Sequence, residues 1–492
     1  MSTKGILQAL MLAILACLAA TAEASSDGYI VPTREHNDSI AASLERLANA
    51  YINDVNSQYK AGAYLADSIG KYKIALRYAE HGLALAREQF GEYSQPFASG
   101  LVLVARVNTR LENFDNALEL FNKALDYYQK EADLENFDVS TAYMNMGFIY
   151  SALGDNDKAL DYSNKALTIE EKLVDLADPD IASCELYIGK IYRAKGDYIM
   201  AQKHLQRALD IRNESFGPEH PLTAEIFSDI GQTYACQKDF DKALEYQMKA
   251  LSIFEKTLKP DHDNIAASLV LIANIYAAQG QKEVALEYYN RAHDIFEKSL
   301  GTEQLSVAVV DFNIGNVMGE MGQYDKALDY YIKALDIYVK SLGHEHHQVG
   351  VTNFNIGFVL FNIGQQDKAL EHYLKALDIY KKTLSADDIE VARTQGSIGY
   401  IYYQKHQYNK AEPYLLRAKD ILEKTEGTTH AITAESYHQL SACYYQLKNY
   451  SAALDYANKA LKAANASFGP NHEFTKQVKS NVESLKAHLK RK

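Results

Sequence analysis

Small apolar residues recur along this chain every 42 residues, and charged residues of alternating sign lie between them. An alanine marks the period ten times without an insertion or deletion. A second alanine follows seven residues later in nine of the ten repeats, and two helical turns separate the pair, so both lie on one face of a helix. A fixed period of this length predicts a solenoid, in which each repeat buries its apolar face only against its neighbours. The reference alanines are Ala75, Ala117, Ala159, Ala201, Ala243, Ala285, Ala327, Ala369, Ala411 and Ala453.

Four further positions divide each repeat into two helices. The residue twelve positions before the reference alanine is always small and is glycine in six repeats, which allows two helices to approach closely. The residue nine positions before it is often tyrosine. Glycines five positions before the reference predict a break between helix A and helix B, and glycines sixteen positions after it predict the end of helix B. The glycines of the predicted break are Gly70, Gly154, Gly196, Gly280, Gly322 and Gly364.

The ends of the chain depart from this pattern. We expect ten 42-residue repeats over residues 55–466. An amphipathic stretch from Asp38 to Ile52 predicts a capping helix within residues 25–54. Residues 467–492 contain a predicted last helix, Phe474–Leu489, which should cover the final apolar face and leads into a short basic tail.

Residues 1–24 have the features of a secretory signal. Lys4 precedes an apolar run, and Ala22-Glu23-Ala24 has the small-x-small pattern of a signal-peptidase site. We therefore expect cleavage after Ala24 and an exported protein, periplasmic or secreted. The alternative is an uncleaved signal anchor, which is disfavoured because the apolar run is shorter than the ~20 residues that a membrane span needs. No other segment is predicted to span a membrane.

Cleavage would leave three cysteines, Cys184, Cys236 and Cys443. Their positions within predicted helices favour unpaired, buried side chains. A free thiol or an intermolecular disulfide is the alternative for an odd number of cysteines in an exported chain.

Composition excludes some functions. The formal net charge of −13 argues against general nucleic-acid binding, which needs a basic footprint. The sequence has no phosphate-binding glycine loop, nucleophile elbow, kinase signature or zinc-ligand spacing, so we expect no catalytic residues and no cofactor. His344-Glu345-His346-His347 is the one metal candidate. His346 shares its repeat position with four other histidines, which favours a structural role in the loop over metal binding. His344 and His347 keep the metal alternative open. The histidines of the shared position are His220, His262, His346, His430 and His472.

The combined spacing of the small residue, the tyrosine and the two alanines resembles the tetratricopeptide repeat. The 42-residue length resembles the kinesin-light-chain and nephrocystin type of that family. The resemblance implies an all-α, right-handed superhelical solenoid of about ten helix-turn-helix units, with the A helices lining a concave groove that binds extended peptides or partner helices.

Carrying the groove positions of the family onto this chain gives side chains eleven and fourteen residues before the reference alanines. Side-chain amides both donate and accept hydrogen bonds, so an asparagine ladder suits a peptide backbone. The alternative is that these asparagines are solvated and that the phenylalanines fill gaps between A helices. The candidate groove residues are Asn145, Phe148, Lys190, Gln232, Asn274, Asn313, Asn316, Asn355 and Phe358, with the cluster from Asn274 to Asn355 favoured.

The sequence therefore favours a non-enzymatic scaffold that binds other proteins or peptides, without nucleic acid and without a stable membrane span after signal cleavage. Two alternatives remain open. One is a ligand-responsive regulator, and the other is a structural component of an envelope or surface assembly.

Overall fold

The computed structural model describes residues 66–490, and within that range it contains twenty α-helices and no strand. The predicted signal peptide and N-terminal capping helix lie outside the described residues. The helices are α1 (Ala66–Phe90), α2 (Gln95–Arg110), α3 (Phe114–Lys130), α4 (Phe137–Ala152), α5 (Asn156–Leu173), α6 (Pro179–Ala194), α7 (Tyr198–Phe216), α8 (Pro221–Cys236), α9 (Phe240–Thr257), α10 (Asp263–Ala278), α11 (Lys282–Leu300), α12 (Leu305–Glu320), α13 (Tyr324–Leu342), α14 (His347–Asn362), α15 (Gln366–Thr383), α16 (Ile389–Gln404), α17 (Tyr408–Thr425), α18 (Ala431–Gln446), α19 (Tyr450–Phe468) and α20 (Glu473–Lys490).

The chain divides into two compact modules, an N-terminal module, Met1–Thr302, and a C-terminal module, Glu303–Lys492. In each module the even-numbered helices from α2 to α18 are A helices, and each packs along the B helix that follows it. Each B helix packs in turn on the next A helix of its module. This order of packed pairs confirms the all-α solenoid fold class.

The reference alanines are the most deeply buried residues of the repeats. All ten have no exposed surface, and the alanines seven residues later are equally buried. A methyl group at both positions lets a neighbouring helix approach the B helix closely.

The small residue of helix A makes the complementary contact. A Cβ atom added at each of the six glycines twelve positions before the reference would lie 3.0 Å or less from one residue of helix B, the residue four positions after the reference alanine. Real Cβ atoms essentially never come this close, so these glycines set the distance between helix A and helix B. The glycine–helix B pairs are Gly147–Ser163, Gly189–Leu205, Gly231–Gln247, Gly315–Tyr331, Gly357–Tyr373 and Gly399–Leu415.

The turn between the two helices keeps a left-handed residue five positions before the reference, whether or not that residue is glycine. Gly154 has φ +80°, and Lys238, at the same position, has φ 63°. A non-glycine residue in this region costs about 1 kcal/mol, so packing of the helix pair imposes the turn. Gly70 does not break a helix as predicted, because α1 runs from Ala66 to Phe90 through it. Glycine permits a left-handed turn, but only packing against helix A imposes it. Most of the predicted helix A of this first repeat lies outside the described residues.

Four of the five recurring histidines cap the helix that follows them, which is an A helix or, for His472, α20; the fifth, His430, makes no such side-chain bond. Nδ1 of His262 accepts a hydrogen bond from the backbone N–H of Asn264 at 3.1 Å, and His220, His346 and His472 make the same bond. Asp178 and Asp388 cap the equivalent ends of α6 and α16. An acceptor at this position satisfies an otherwise unpaired N–H of the helix, which explains why the residue recurs.

The recurring tyrosine nine positions before the reference alanine stacks on an aromatic residue three positions after that alanine. The partner is histidine for Tyr192 and tyrosine in the other repeats that have this tyrosine. The ring centroids of Tyr150 and Tyr162 lie 5.4 Å apart with an interplanar angle of 6°, and those of Tyr444 and Tyr456 lie 5.6 Å apart. The stack joins helix A to helix B of one repeat, so this tyrosine has a structural role.

The last helix, α20, packs on α19 through Val478, Val482 and Leu485, all buried, and exposes charged residues on its other side. Cys184 and Cys443 are buried, but Cys236 is exposed, because it is the last residue of α8 and lies where the helix leaves the core. Within residues 66–490 no helix is both long and apolar enough to cross a membrane.

The close contact predicts opposite effects for two glycines of α12. Gly315→Ala would place a Cβ 2.8 Å from the Tyr331 ring and should destabilise the protein by about 1–3 kcal/mol. Gly319→Ala, one turn later, has 3.9 Å of space and should be neutral or stabilising by up to about 1 kcal/mol, because alanine favours helix. Urea unfolding followed by circular dichroism checks both, and equal stability of the two variants would contradict the contact.

Candidate interaction surface

Consecutive A helices contact one another and form a continuous side-chain surface in each module. The contacts include α6 with α8 and α8 with α10 in the N-terminal module, and α12 with α14 and α16 with α18 in the C-terminal module. We call the side chains on this surface, fourteen, eleven and seven or eight residues before each reference alanine, the A-helix face. None of the nine predicted groove residues is buried, and Asn274 and Phe358 are exposed. Their role in binding stays a prediction.

Two asparagines of the A-helix face are oriented by tyrosines of helix B. The Tyr331 hydroxyl donates to Oδ1 of Asn316 at 2.7 Å, and the Tyr289 hydroxyl donates to Oδ1 of Asn274. Tyr331 is the residue that packs on Gly315, and burial raises the pKa of its hydroxyl, which keeps it a donor. With the amide oxygen fixed in this way, the amide nitrogen is the group left to donate to a ligand.

Other predicted amides have different surroundings. Nδ2 of Asn355 donates to Oδ1 of Asn316 at 3.4 Å, which links α14 to α12. Nδ2 of Asn145 donates to the carbonyl of Thr141 in its own helix at 2.8 Å. Asn313 and Gln232 are half-buried on the same face. Amide side chains at equivalent positions of different repeats therefore make different hydrogen bonds.

Lys190 belongs to an ion cluster. Its Nζ lies 3.0 Å from Oδ2 of the buried Asp229, and Nη1 of Arg193 lies 3.0 Å from Oδ1. Arg193 also donates to the Asp229 carbonyl. The cluster joins α6 to α8, so Lys190 takes part in the contact between two neighbouring repeats.

The two predicted phenylalanines differ in exposure. The Phe148 ring lies 6.2 Å from that of Tyr187 on the next A helix, so it fills space between α4 and α6. Phe358 is 47% exposed. It lines a cavity of about 330 Å³ between α14, α16 and α18, together with Phe354, Phe361 and Tyr400.

The sequence reasoning missed an aromatic part of the face near the last repeats. Tyr403, His438 and Tyr445 line a second cavity, of about 490 Å³, between α16, α18 and α20. The available signal was an aromatic residue eight positions before the reference in the last three repeats: Phe361, Tyr403 and Tyr445.

The histidine cluster of residues 344–347 does not gather its side chains into a metal site in the structure. His346 caps α14, and the His347 ring lies 5.6 Å from that of Tyr380. In the described part of the chain, one group of potential ligands lies within reach of a common ion, namely His293, Asp294 and Glu297 on the surface of α11.

The tetratricopeptide repeat family model matches residues 96–172, 180–256, 234–298, 306–382 and 390–479, which together make up more than half of the chain. The chain belongs to the tetratricopeptide repeat family. Proteins of this family are generally protein-interaction scaffolds, and the fold is generally non-enzymatic.

The chain is similar to several solved structures. A signal-transduction ATPase with a tetratricopeptide repeat sensor from Pyrococcus horikoshii is 17% identical, with a TM-score of 0.56. The match covers 80% of this chain and 55% of the ATPase, so this chain matches about half of the length of the ATPase. BtubC from P. vanneervenii is 21% identical over 47% of this chain and 92% of that one, with a TM-score of 0.42. A kinesin-light-chain protein with nearly identical TPR-like repeats from Podosopora anserina is 24% identical over 42% and 99%, with a TM-score of 0.38. No curated protein matches the chain in sequence.

The half-buried His438 of α18 predicts a loss of stability in acid. Burial lowers the pKa of its imidazole from the ordinary value of 6.5. Below pH 6.5 the folded tetratricopeptide array therefore binds fewer protons at this residue than the unfolded chain, and stability falls as the pH falls towards the lowered pKa. Above pH 6.5 the contribution of neutral His438 to the stability of the protein is fully present.

We expect the thermal midpoint to drop less between pH 7.5 and 5.5 in His438→Gln than in the parent protein, because the variant cannot bind this proton. His344→Gln, in an exposed loop, is the matched control and should keep the parent pH dependence. Equal drops for His438→Gln and the parent would contradict the assignment.

Proposed function

We propose that the chain is a non-catalytic scaffold whose A-helix face binds extended peptide segments of other proteins. The observation that carries the proposal is one oriented amide in each module, Asn274 in the N-terminal module and Asn316 in the C-terminal module. Each amide oxygen is held by a tyrosine hydroxyl, so each nitrogen is preset to donate to a backbone carbonyl of a ligand. A group that is already oriented loses less entropy on binding.

The environment of the reactive side chains also supports a binding role. Burial raises the pKa of the Cys184 thiol, which disfavours the nucleophilic thiolate. Burial likewise raises the pKa of Tyr373 and Tyr380, which lie in the packing between helices. The sequence of residues 1–24 supports an exported location for the scaffold.

The test is an affinity measurement with a peptide selected from a random library on the full chain. Asn313→Ala/Asn355→Ala should weaken its binding about tenfold, because two amides of the face are lost. Asn316 is kept, since its loss would leave the buried Tyr331 hydroxyl without its acceptor and cost about 1–3 kcal/mol of stability.

The matched control is Asn409→Ala/Asn458→Ala, which removes two exposed asparagines from the B helices α17 and α19. It should bind the peptide like the parent in a fluorescence polarisation titration. The proposal fails when the two double variants bind the peptide equally and both keep the parent circular dichroism spectrum.

A further inference from the structure

Glu435 of α18 lies where two cavities of the C-terminal module meet. One is the cavity of about 330 Å³ between α14, α16 and α18, which Phe358 lines. The other, of about 400 Å³, is formed by α16, α17, α18 and the start of α20. Glu435 lines both cavities. It precedes Gln439 of the A-helix face by four residues, so the two side chains lie on the same side of α18.

The carboxylate of Glu435 is exposed and has no partner in the described part of the chain. It forms neither a hydrogen bond nor an ion pair with any side chain or backbone group of residues 66–490. Partial burial raises the pKa of its carboxyl group, and no neighbouring charge contributes to this shift. A carboxylate in these surroundings is stabilised by a cation that comes close to it.

The cavity of about 400 Å³ has a lining that favours a positive charge. Among the described residues that line it, Glu435 is the one carboxylate, and there is no lysine or arginine. His438 also lines it, but burial lowers the pKa of the imidazole, which favours the neutral form at pH 7. The ring centroids of Tyr400 and Tyr403 lie 6.4 Å apart, and those of His438 and Phe474 lie 5.6 Å apart. Aromatic faces attract cations, so the rings and the carboxylate favour the same charge.

The basic side chain of the neighbouring cavity is paired. Arg393 is the one lysine or arginine among the described residues that line the cavity of about 330 Å³, and it holds the repeat position of Glu435 in the preceding repeat. Its Nη1 lies 3.2 Å from Oε1 of Glu390, and its guanidinium carbon lies 5.5 Å from the centroid of the Phe354 ring. The unpaired charge of the two cavities is therefore the negative charge of Glu435.

The cavity of about 330 Å³ lies where α16 lacks a side chain. Fifteen residues before the reference alanine, the two preceding repeats have Phe312 and Phe354, which pack on Tyr331 and Tyr373 of helix B. The same position of α16 is Gly396, and a Cβ atom added there would have its nearest neighbour at 3.9 Å. Aromatic rings of α14 and α16 line the space that remains. This gap can accept an apolar side chain of a ligand.

We propose that Glu435 binds the positively charged head of a lysine or arginine in an extended peptide. The aliphatic stem of that side chain packs on the rings of Tyr400 and Tyr403, and a neighbouring apolar side chain of the peptide enters the gap at Gly396. Long basic side chains can cover apolar surface with their stems while their heads reach a charge. The net charge of −13 acts in the same direction, because it attracts a basic partner. The inference rests on the proposed peptide-binding function and adds the class of peptide that this part of the C-terminal module accepts.

The test uses a short peptide, acetylated and amidated at its ends, with a single lysine between two leucines. The reference peptide has glutamine in place of the lysine. Isothermal titration calorimetry with the full chain should show about five- to tenfold tighter binding of the lysine peptide. In Glu435→Gln this preference should disappear, while the affinity for the glutamine peptide stays the same. Glu435→Lys should reverse the preference, so that a peptide with glutamate in place of lysine binds more tightly than the lysine peptide.

The matched control is Glu287→Gln, which removes the same charge from an exposed glutamate of the B helix α11. It should keep the parent preference for the lysine peptide. Equal affinity of the parent for the lysine and glutamine peptides, or equal losses in Glu435→Gln and Glu287→Gln, would overturn the assignment.

A second variant tests the gap. Gly396→Phe introduces the side chain that the two preceding repeats have at this position and should weaken both peptides by about five- to tenfold, because it fills the space for a leucine. The variant should unfold in urea at the same or a higher midpoint, since the position has room for a Cβ atom and glycine disfavours helix. Parent affinity of a folded Gly396→Phe for both peptides would contradict the apolar part of the site.

This inference and the proposed function fail separately. A library peptide that depends on Asn313 and Asn355, together with a lysine peptide that binds Glu435→Gln like the parent, contradicts only the cation site. A lysine preference that is lost in Glu435→Gln supports the cation site, even when the library peptide ignores the asparagine substitutions and contradicts the oriented amides. No dependence in either experiment contradicts both.

Discussion

The contact between the small residue of helix A and one side chain of helix B fixes the distance between the helices of a repeat, and the rest of the molecule depends on that distance. Six glycines leave no room for a Cβ against helix B. The reference alanines and the alanines two turns later provide the equivalent surface on helix B, and all are buried. Because a solenoid is stabilised only by neighbouring contacts, an error in this distance would pass to the next helix. The constant 42-residue period is the consequence, since an insertion would displace one of these contacts.

The repeating part of this arrangement could be predicted from the sequence, because every member of it recurs. The alanines and the close-packed glycines were found by their period, and the helix break was found through Gly154 and its equivalents. The helix break predicted at Gly70 was wrong, because a glycine permits a turn that only packing imposes. The histidine position was found by period as well, but its reason, a hydrogen bond from Nδ1 to a backbone N–H, involves atoms that no period reveals. The residue of helix B that meets each glycine is serine, leucine, glutamine or tyrosine, and such variation conceals it from a search for repeats.

The candidate face could be located but its chemistry could not. The spacing placed Asn145, Asn316 and Lys190 on accessible A-helix positions, and that is where they lie. Their hydrogen bonds and ion pairs differ because the partners belong to different parts of the structure. The partner is a carbonyl of the same helix for Asn145, a tyrosine of helix B for Asn316 and an aspartate of the next repeat for Lys190.

Two consecutive repeats show how a fixed contact allows a variable surface. Tyr331 and Tyr373 pack in the same way on Gly315 and Gly357. In the first repeat the neighbouring face residue is Asn316, which accepts the tyrosine hydroxyl. In the second it is Phe358, which has no acceptor, and the Tyr373 hydroxyl lies near Ser397 of the next A helix instead. The glycine contact is unaffected by this exchange, so an oriented amide and an exposed aromatic ring occupy equivalent positions without a change in helix spacing. The chemistry of the A-helix face can therefore vary along the array one residue at a time, while the distance between the helices, which has to stay constant, is set by residues packed between helix A and helix B.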